Sequence, residues 1–207
     1  MLFQELFERY SKLALTVATD RPVAIRGLEN RLIRVLKTKG KFGIFELYLR
    51  RSLLWERVQP ILKRIDFSKK KGQEAVPSWS WMAYNGEIRY TGAPFGGVEW
   101  DMWDQEIVSP WKPGKEDNKT PLELEVIVRD ITTIPSGRQV FLDEPRLKDD
   151  RSFKCVIVGS RKDQVYYTMI VTPLVGGEAN VYERAGVASM NKHHIVLDKP
   201  GTKARLR

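Results

Sequence analysis

Leu122-Glu123-Leu124-Glu125-Val126-Ile127-Val128-Arg129 is the stretch whose reading decides the fold. Leu122, Leu124, Val126 and Val128 fall at every second position and Glu123, Glu125, Ile127 and Arg129 stand between them. This is the two-residue period of a strand with one face in a core. Downstream, Phe153–Val158 and Val165–Val171 are two more apolar runs, and Gly159-Ser160-Arg161-Lys162-Asp163-Gln164 between them suits a hairpin connection. Gly176-Gly177 precedes a last strand candidate, 179–187. Short strands at close spacing, with no helices interleaved, predict an antiparallel sheet.

Upstream the texture is helical. Leu2, Phe3, Leu6, Phe7 and Tyr10 recur at helical spacing opposite Glu5, Glu8 and Arg9, which predicts an amphipathic helix whose aromatic face needs a partner surface. A second helix is capped by Thr19 or Asp20 and has Pro22 in its first turn. Ile25, Leu28, Leu32, Ile33 and Leu36 form its stripe, and its stop is expected at Thr38-Lys39-Gly40. Phe45–Trp55 keeps a helical rhythm through Leu49 and Leu53 and is short enough to contain a strand instead. The expected fold is therefore α+β: N-terminal helices packed on an antiparallel β-sheet that begins near Val76. Residues 1–72 are a basic helical segment and 73–207 a β-rich segment, together one continuous domain.

With 207 residues and 42% hydrophobic content, the chain can bury a core without a disulfide or metal staple. It has no apolar run of the ~20 residues needed to cross a bilayer, and acids stand where a signal peptide would be apolar. A single cysteine, Cys155, fits a reducing compartment. The composition thus predicts an intracellular, cytoplasmic protein with no membrane association. The charge is segregated. Residues 1–72 hold 17 Lys/Arg against 7 Asp/Glu, and the rest hold 18 against 19. The basic third admits two readings, a nucleic-acid or polyanion surface and a set of solvated helix faces, and the second is favoured. Lys69-Lys70-Lys71-Gly72-Gln73 reads as a flexible linker.

Val76-Pro77-Ser78-Trp79-Ser80-Trp81 places two indoles on one face of an extended segment and two serines on the other, which predicts a core strand. Trp100, Trp103 and Trp111 follow in 92–121, a stretch that reads as an irregular loop. The tryptophan cluster suits either a core or base stacking. Cys155 lies mid-strand among Val156, Ile157 and Val158 and is expected to be buried and inert. His193-His194 is expected in a loop or at a strand edge, and Asp101, Asp104 and Glu106 have no second acid at a defined separation. No catalytic constellation, cofactor motif or metal-ligand spacing is found, so an enzyme is not expected.

These segments together resemble fungal heterokaryon-incompatibility (HET) proteins. The resemblance begins at Tyr10-Ser11-Lys12-Leu13-Ala14-Leu15-Thr16 and Asp20-Arg21-Pro22-Val23-Ala24-Ile25-Arg26-Gly27-Leu28. It continues in order through Leu53-Leu54-Trp55, Val76-Pro77-Ser78-Trp79-Ser80-Trp81, Ile88-Arg89-Tyr90 and Val181-Tyr182-Glu183-Arg184-Ala185-Gly186-Val187. In that family such motifs lie downstream of the HET domain proper, whose own signatures do not occur here. The resemblance implies a C-terminal module that works without catalysis, through protein–protein contacts, in non-self recognition and programmed cell death. A protein partner or self-association is expected, with Leu2, Phe3, Leu6, Phe7 and Tyr10 as the docking surface. The alternative is nucleic-acid or polyanion binding through the basic N-terminal third.

Overall fold

The computed structural model describes residues 2–13, 15–69, 72, 74–94, 96–103, 105–111, 122–135, 139–144 and 152–207. Helical spacing is realised as α1 (Leu2–Ser11) and α2 (Arg21–Leu36). Asp20 precedes α2 without a side-chain cap, because a 3-10 turn over Ala18–Asp20 runs straight into the helix. The helix stops before Thr38-Lys39-Gly40: Lys37 adopts the left-handed conformation (φ 49°), and Thr38 N–H closes on the Ile33 carbonyl. Gly40–Lys41 (β1) and Ile44–Phe45 (β2) form a small hairpin. Within Phe45–Trp55 only Leu49–Leu53 is α-helical (α3), and Trp55–Arg57 turns extended as β3. Lys63–Arg64 (β4) pairs with Tyr84–Asn85 (β5), and β3 pairs with Ile88–Tyr90 (β6).

The 92–121 stretch contains Val98–Glu99 (β7) and Ile107–Val108 (β8) around a 3-10 turn, Asp101–Trp103. Beyond it come Leu124–Asp130 (β9), Val140–Leu142 (β10), Lys154–Arg161 (β11), Val165–Pro173 (β12), Val181–Asn191 (β13) and Thr202–Leu206 (β14). The chain is mixed α+β, but its main sheet is not open. β9, β11, β12, β13 and β14 close into a five-stranded barrel in that order, with β14 returning to β9. An odd number of strands cannot alternate direction all the way round, so one pair must run parallel. That pair is β13–β14, through Val181↔Arg205 and Tyr182↔Leu206. Closure removes the free edges that an open sheet would have to protect.

Leu124, Val126 and Val128 point inward, as their alternation requires, and meet Val156, Met169 and Leu206 in the barrel core. The middle strands are apolar on both faces: Cys155, Ile170, Ala185 and Met190 form a second layer with Leu142 of β10. Gly186 permits this layer, since a Cβ there would lie 2.3 Å from the Phe141 carbonyl oxygen. A separate core holds Phe3, Phe7, Ile25, Phe45, Trp81 and Tyr90. The helices α1 and α2 therefore pack on their own aromatic core rather than on the main sheet, and only α3 contributes Leu49 and Leu53 to the barrel core. That N-terminal core runs to Tyr90, past the compositional boundary at residue 72.

Pro77–Trp81 is not a strand. Ser80 N–H bonds to the Pro77 carbonyl (3.0 Å), and a 3-10 turn takes over at Trp81–Ala83. The two fully buried indoles consequently leave the chain in different directions, Trp79 into the barrel core and Trp81 into the N-terminal core. Truncating either, as Trp79→Ala or Trp81→Ala, should cost about 3–5 kcal/mol in chemical denaturation. A loss below about 1 kcal/mol would place that indole at the surface.

Candidate functional site

Several of the residues that resemble family landmarks, Trp55, Ser78, Trp79 and Arg184, meet at one buried seam. Its centre is Arg184. Along β12–β13 the register slips between Ile170↔Gly186 and Val171↔Arg184, leaving Ala185 as an extra residue. Such a bulge re-aims the neighbouring side chain, and Arg184 turns out of the ladder into the protein, where its side chain is fully buried. Its Nε donates to Asp143 Oδ2 (2.9 Å) and Nη2 to Oδ1 (3.3 Å). Nη1 donates to the Leu53 carbonyl (2.7 Å) and Nη2 also to that of Trp55, while the guanidinium lies 3.4 Å from the centre of the Trp55 ring. Burial pushes the Asp143 carboxyl above its usual range, and Arg184 opposes that rise.

Around this pair Ser78, Ser80, Trp55 and Trp79 are engaged, whereas Trp81 Nε1 and Tyr90 Oη have no hydrogen-bond partner among the described residues. Ser78 Oγ accepts from Arg184 N–H (3.0 Å) and donates to the Arg207 carbonyl, which also accepts Ser78 N–H (3.0 Å). Ser80 Oγ donates to the Phe42 carbonyl (2.7 Å) and accepts Met82 N–H (3.0 Å). Trp79 Nε1 donates to the Leu206 carbonyl (3.3 Å), and Trp55 Nε1 to that of Trp79 (3.0 Å). Glu183 pairs with Arg64. Tyr182 is buried and packs in the barrel core. Burial raises the Tyr84 hydroxyl, and nearby Asp143 adds to the rise. At the other end of the landmark series, Ser11 Oγ accepts Ile88 N–H (3.0 Å) and donates to the Glu8 carbonyl (2.8 Å), which fastens α1 to β6. Tyr10 Oη reaches the Arg21 carbonyl (3.4 Å); Leu15 is half-buried, and Thr16 is exposed.

The predicted docking stripe on α1 is not a surface. Phe3 and Phe7 are 3% and 0% exposed, Leu6 and Tyr10 pack against the same aromatic core, and only Leu2 stands out at 69%. An aromatic face of that width finds its partner inside its own chain, on Phe45, Tyr48 and Trp81. The later tryptophans also have structural work. Trp100 lies against Gly159 and under Arg51, and Trp103 Nε1 donates to Ser160 Oγ (2.9 Å). Cys155 is buried as its setting predicted, and burial pushes its thiol up to about 12. His193 and His194 occupy an exposed 3-10 turn after β13, with His194 Nδ1 against Thr133 Oγ1 (2.9 Å). Of the three acids noted near Trp103, Glu106 is bound to Arg129 (2.6 Å); Asp104 and the Asp101 side chain lie outside the described residues, as do Lys70, Lys71 and Gln73 of the linker.

What remains open is a trough of about 920 Å³ over the outer face of β8, β9 and β14. Ile127 and Val108 contribute apolar surface, and Glu106, Glu125, Arg129, Lys203 and Arg205 line it. The charges are largely matched: Arg129 to Glu106, and Arg205 to Glu178 (2.5 Å) and Glu123 (3.3 Å). Nothing in the sequence signals this trough, because β14 carries only Ala204 and Leu206 on its inner face and has no strand period of its own. Among the described residues no three His, Cys, Asp or Glu side chains are grouped to hold a metal ion, and no helix is long and apolar enough to cross a membrane. No family model, curated protein or solved structure matches the chain.

Arg184→Met should cost about 3–5 kcal/mol, because it leaves Asp143 charged and unpaired, whereas the double replacement Arg184→Met/Asp143→Leu should recover a large part of that loss. Urea melts of the two variants test it, and equal losses would assign the effect to packing alone. Cys155 should react with a thiol reagent only after the protein unfolds. Rapid labelling of the native chain would refute its burial.

Proposed function

We propose that this chain is a non-catalytic interaction module, acting by protein–protein contacts in non-self recognition or cell-death control, as the resemblance to the region downstream of the HET domain implies. One observation carries the non-catalytic part: at the buried seam Arg184, Asp143, Ser78, Ser80, Trp55 and Trp79 are engaged with one another and with backbone carbonyls. None is poised for a substrate. The mixed-charge trough over β8, β9 and β14 is a surface of the kind an extended protein segment uses, with apolar floor and paired rim charges. An intracellular setting fits the single buried thiol.

Polyanion binding through the first third is the second reading, and the geometry weakens it. At least eight of the 17 cations in residues 1–72 are committed inside the molecule: Lys12, Arg21, Lys39, Lys41, Arg50, Arg51, Arg57 and Arg64. Sedimentation equilibrium of the intact chain, alone and with a full-length HET protein, should show self-association or a mixed complex. Affinity for duplex DNA should be weak, with a log–log salt slope shallower than about −2. A monomer in both mixtures, together with a duplex slope near about −5, would reverse the order of the two readings.

A further inference from the structure

The outer face of α2 has two features that the fold does not require. The helix buries Ile25, Glu29 and Leu32 and exposes Val23, Arg26, Gly27, Asn30, Arg31, Arg34 and Val35. Its only acid, Glu29, is buried and accepts Gly43 N–H (2.6 Å), so the exposed face carries cations alone. Arg26, Arg31 and Lys37 have no ion-pair partner among the described residues. Arg31 and Arg34 stand three residues apart on the helix surface, a spacing at which like charges repel, and Lys37 adds a third cation just past the helix end. In the middle of this face sits Gly27, where an added Cβ would meet nothing within 4 Å. A glycine in a helix interior costs roughly 1 kcal/mol relative to alanine, and here no close packing among the described residues requires it. Local rules broken without an internal reason point to an external one.

We propose that this face docks an acidic amphipathic helix of a protein partner, crossing α2 over Gly27. This rests on the protein-contact reading above but not on the family resemblance. A missing side chain at the centre of the face lets a second helix axis approach toward the short end of the usual 8–10 Å range. Val23 and Val35, exposed at 49% and 70%, give such a helix apolar contact on either side of the crossing. Arg26, Arg31, Arg34 and Lys37 flank it, and arginine forks take carboxylates in pairs. A nucleic-acid backbone would use the cations but gain nothing from the valines or the glycine. The exposed residues of the helix also include no aromatic side chain for base stacking.

The test uses the intact chain and a labelled synthetic helix with a Leu/Ala stripe flanked by glutamates, with fluorescence anisotropy as the readout. The helix should bind in a salt-sensitive way, and Arg31→Glu/Arg34→Glu should weaken it by about tenfold or more. Gly27→Gln, for which the space is open, should weaken binding by a similar factor while the thermal melt stays level or rises. Four results would overturn the proposal: no binding, equal binding by a scrambled peptide of the same charge, indifference to Gly27→Gln, or tighter binding of a duplex of matched charge. Sedimentation with the HET protein reads the broader function separately, so loss of this docking surface would not by itself remove the protein-contact reading.

Discussion

Everything at the junction of the two cores depends on one buried guanidinium. Taking a charge such as that of Arg184 out of water is costly, and the cost is offset only if all its directions are satisfied. Asp143 neutralises it, the carbonyls of Leu53 and Trp55 take two more protons, and the Trp55 ring covers a face. These groups come from segments about 40 to 130 residues apart in the chain. They can meet only when α3, β10 and β13 are all in place. The pair therefore contributes less to net stability than to uniqueness: an arrangement missing one member strands a charge, so partly assembled states are penalised.

The proline–serine–tryptophan strap is the mechanical complement of that charge. It carries two adjacent indole anchors separated by one serine, and the turn after Pro77 sends them into different cores. Each serine then ties its own side of the seam, Ser78 to the end of β14 and Ser80 to the turn after β1. Barrel closure works from the same place. The carbonyl of Arg207, just past β14, accepts from Ser78, and Leu206 lies in the barrel core beside Trp79. The strand that closes the barrel is thus held from the N-terminal half of the chain.

What the sequence disclosed follows from periodicity. Runs such as Leu122–Arg129 and Val165–Val171 belong to elements whose apolar pattern is long enough to be read, and they are strands in the structure. The closure was hidden because Thr202–Leu206 offers only two apolar side chains. Its place is fixed by pairing with β9 and β13 rather than by any period of its own. The strap is ambiguous for a different reason: alternation over five residues describes both a strand and a turn that splits two aromatics, and the Ser80–Pro77 hydrogen bond separates them. The α1 stripe needs a partner, as its spacing implies, but sequence distance conceals that Phe45 and Trp81 supply it. The importance of Arg184 was visible only as one letter in a motif, since a bulge cannot be seen without its partner strand.

The basic first third illustrates how composition can mislead about function. Arg50, Arg51 and Arg57 donate to backbone carbonyls of Val158, Ala93 and Leu142, so their charges act as multi-toothed clamps between loops and strands. Arginine suits this because its planar fork reaches several acceptors at once and never loses its proton. A count of cations therefore overstates the field available to a polyanion. Once the clamps and ion pairs are set aside, exposed cations remain on α2, whose one carboxylate, Glu29, is buried and accepts Gly43 N–H. The functional question narrows accordingly, from the net charge of a segment to one helix face on which charge, exposed valines and a glycine lie together.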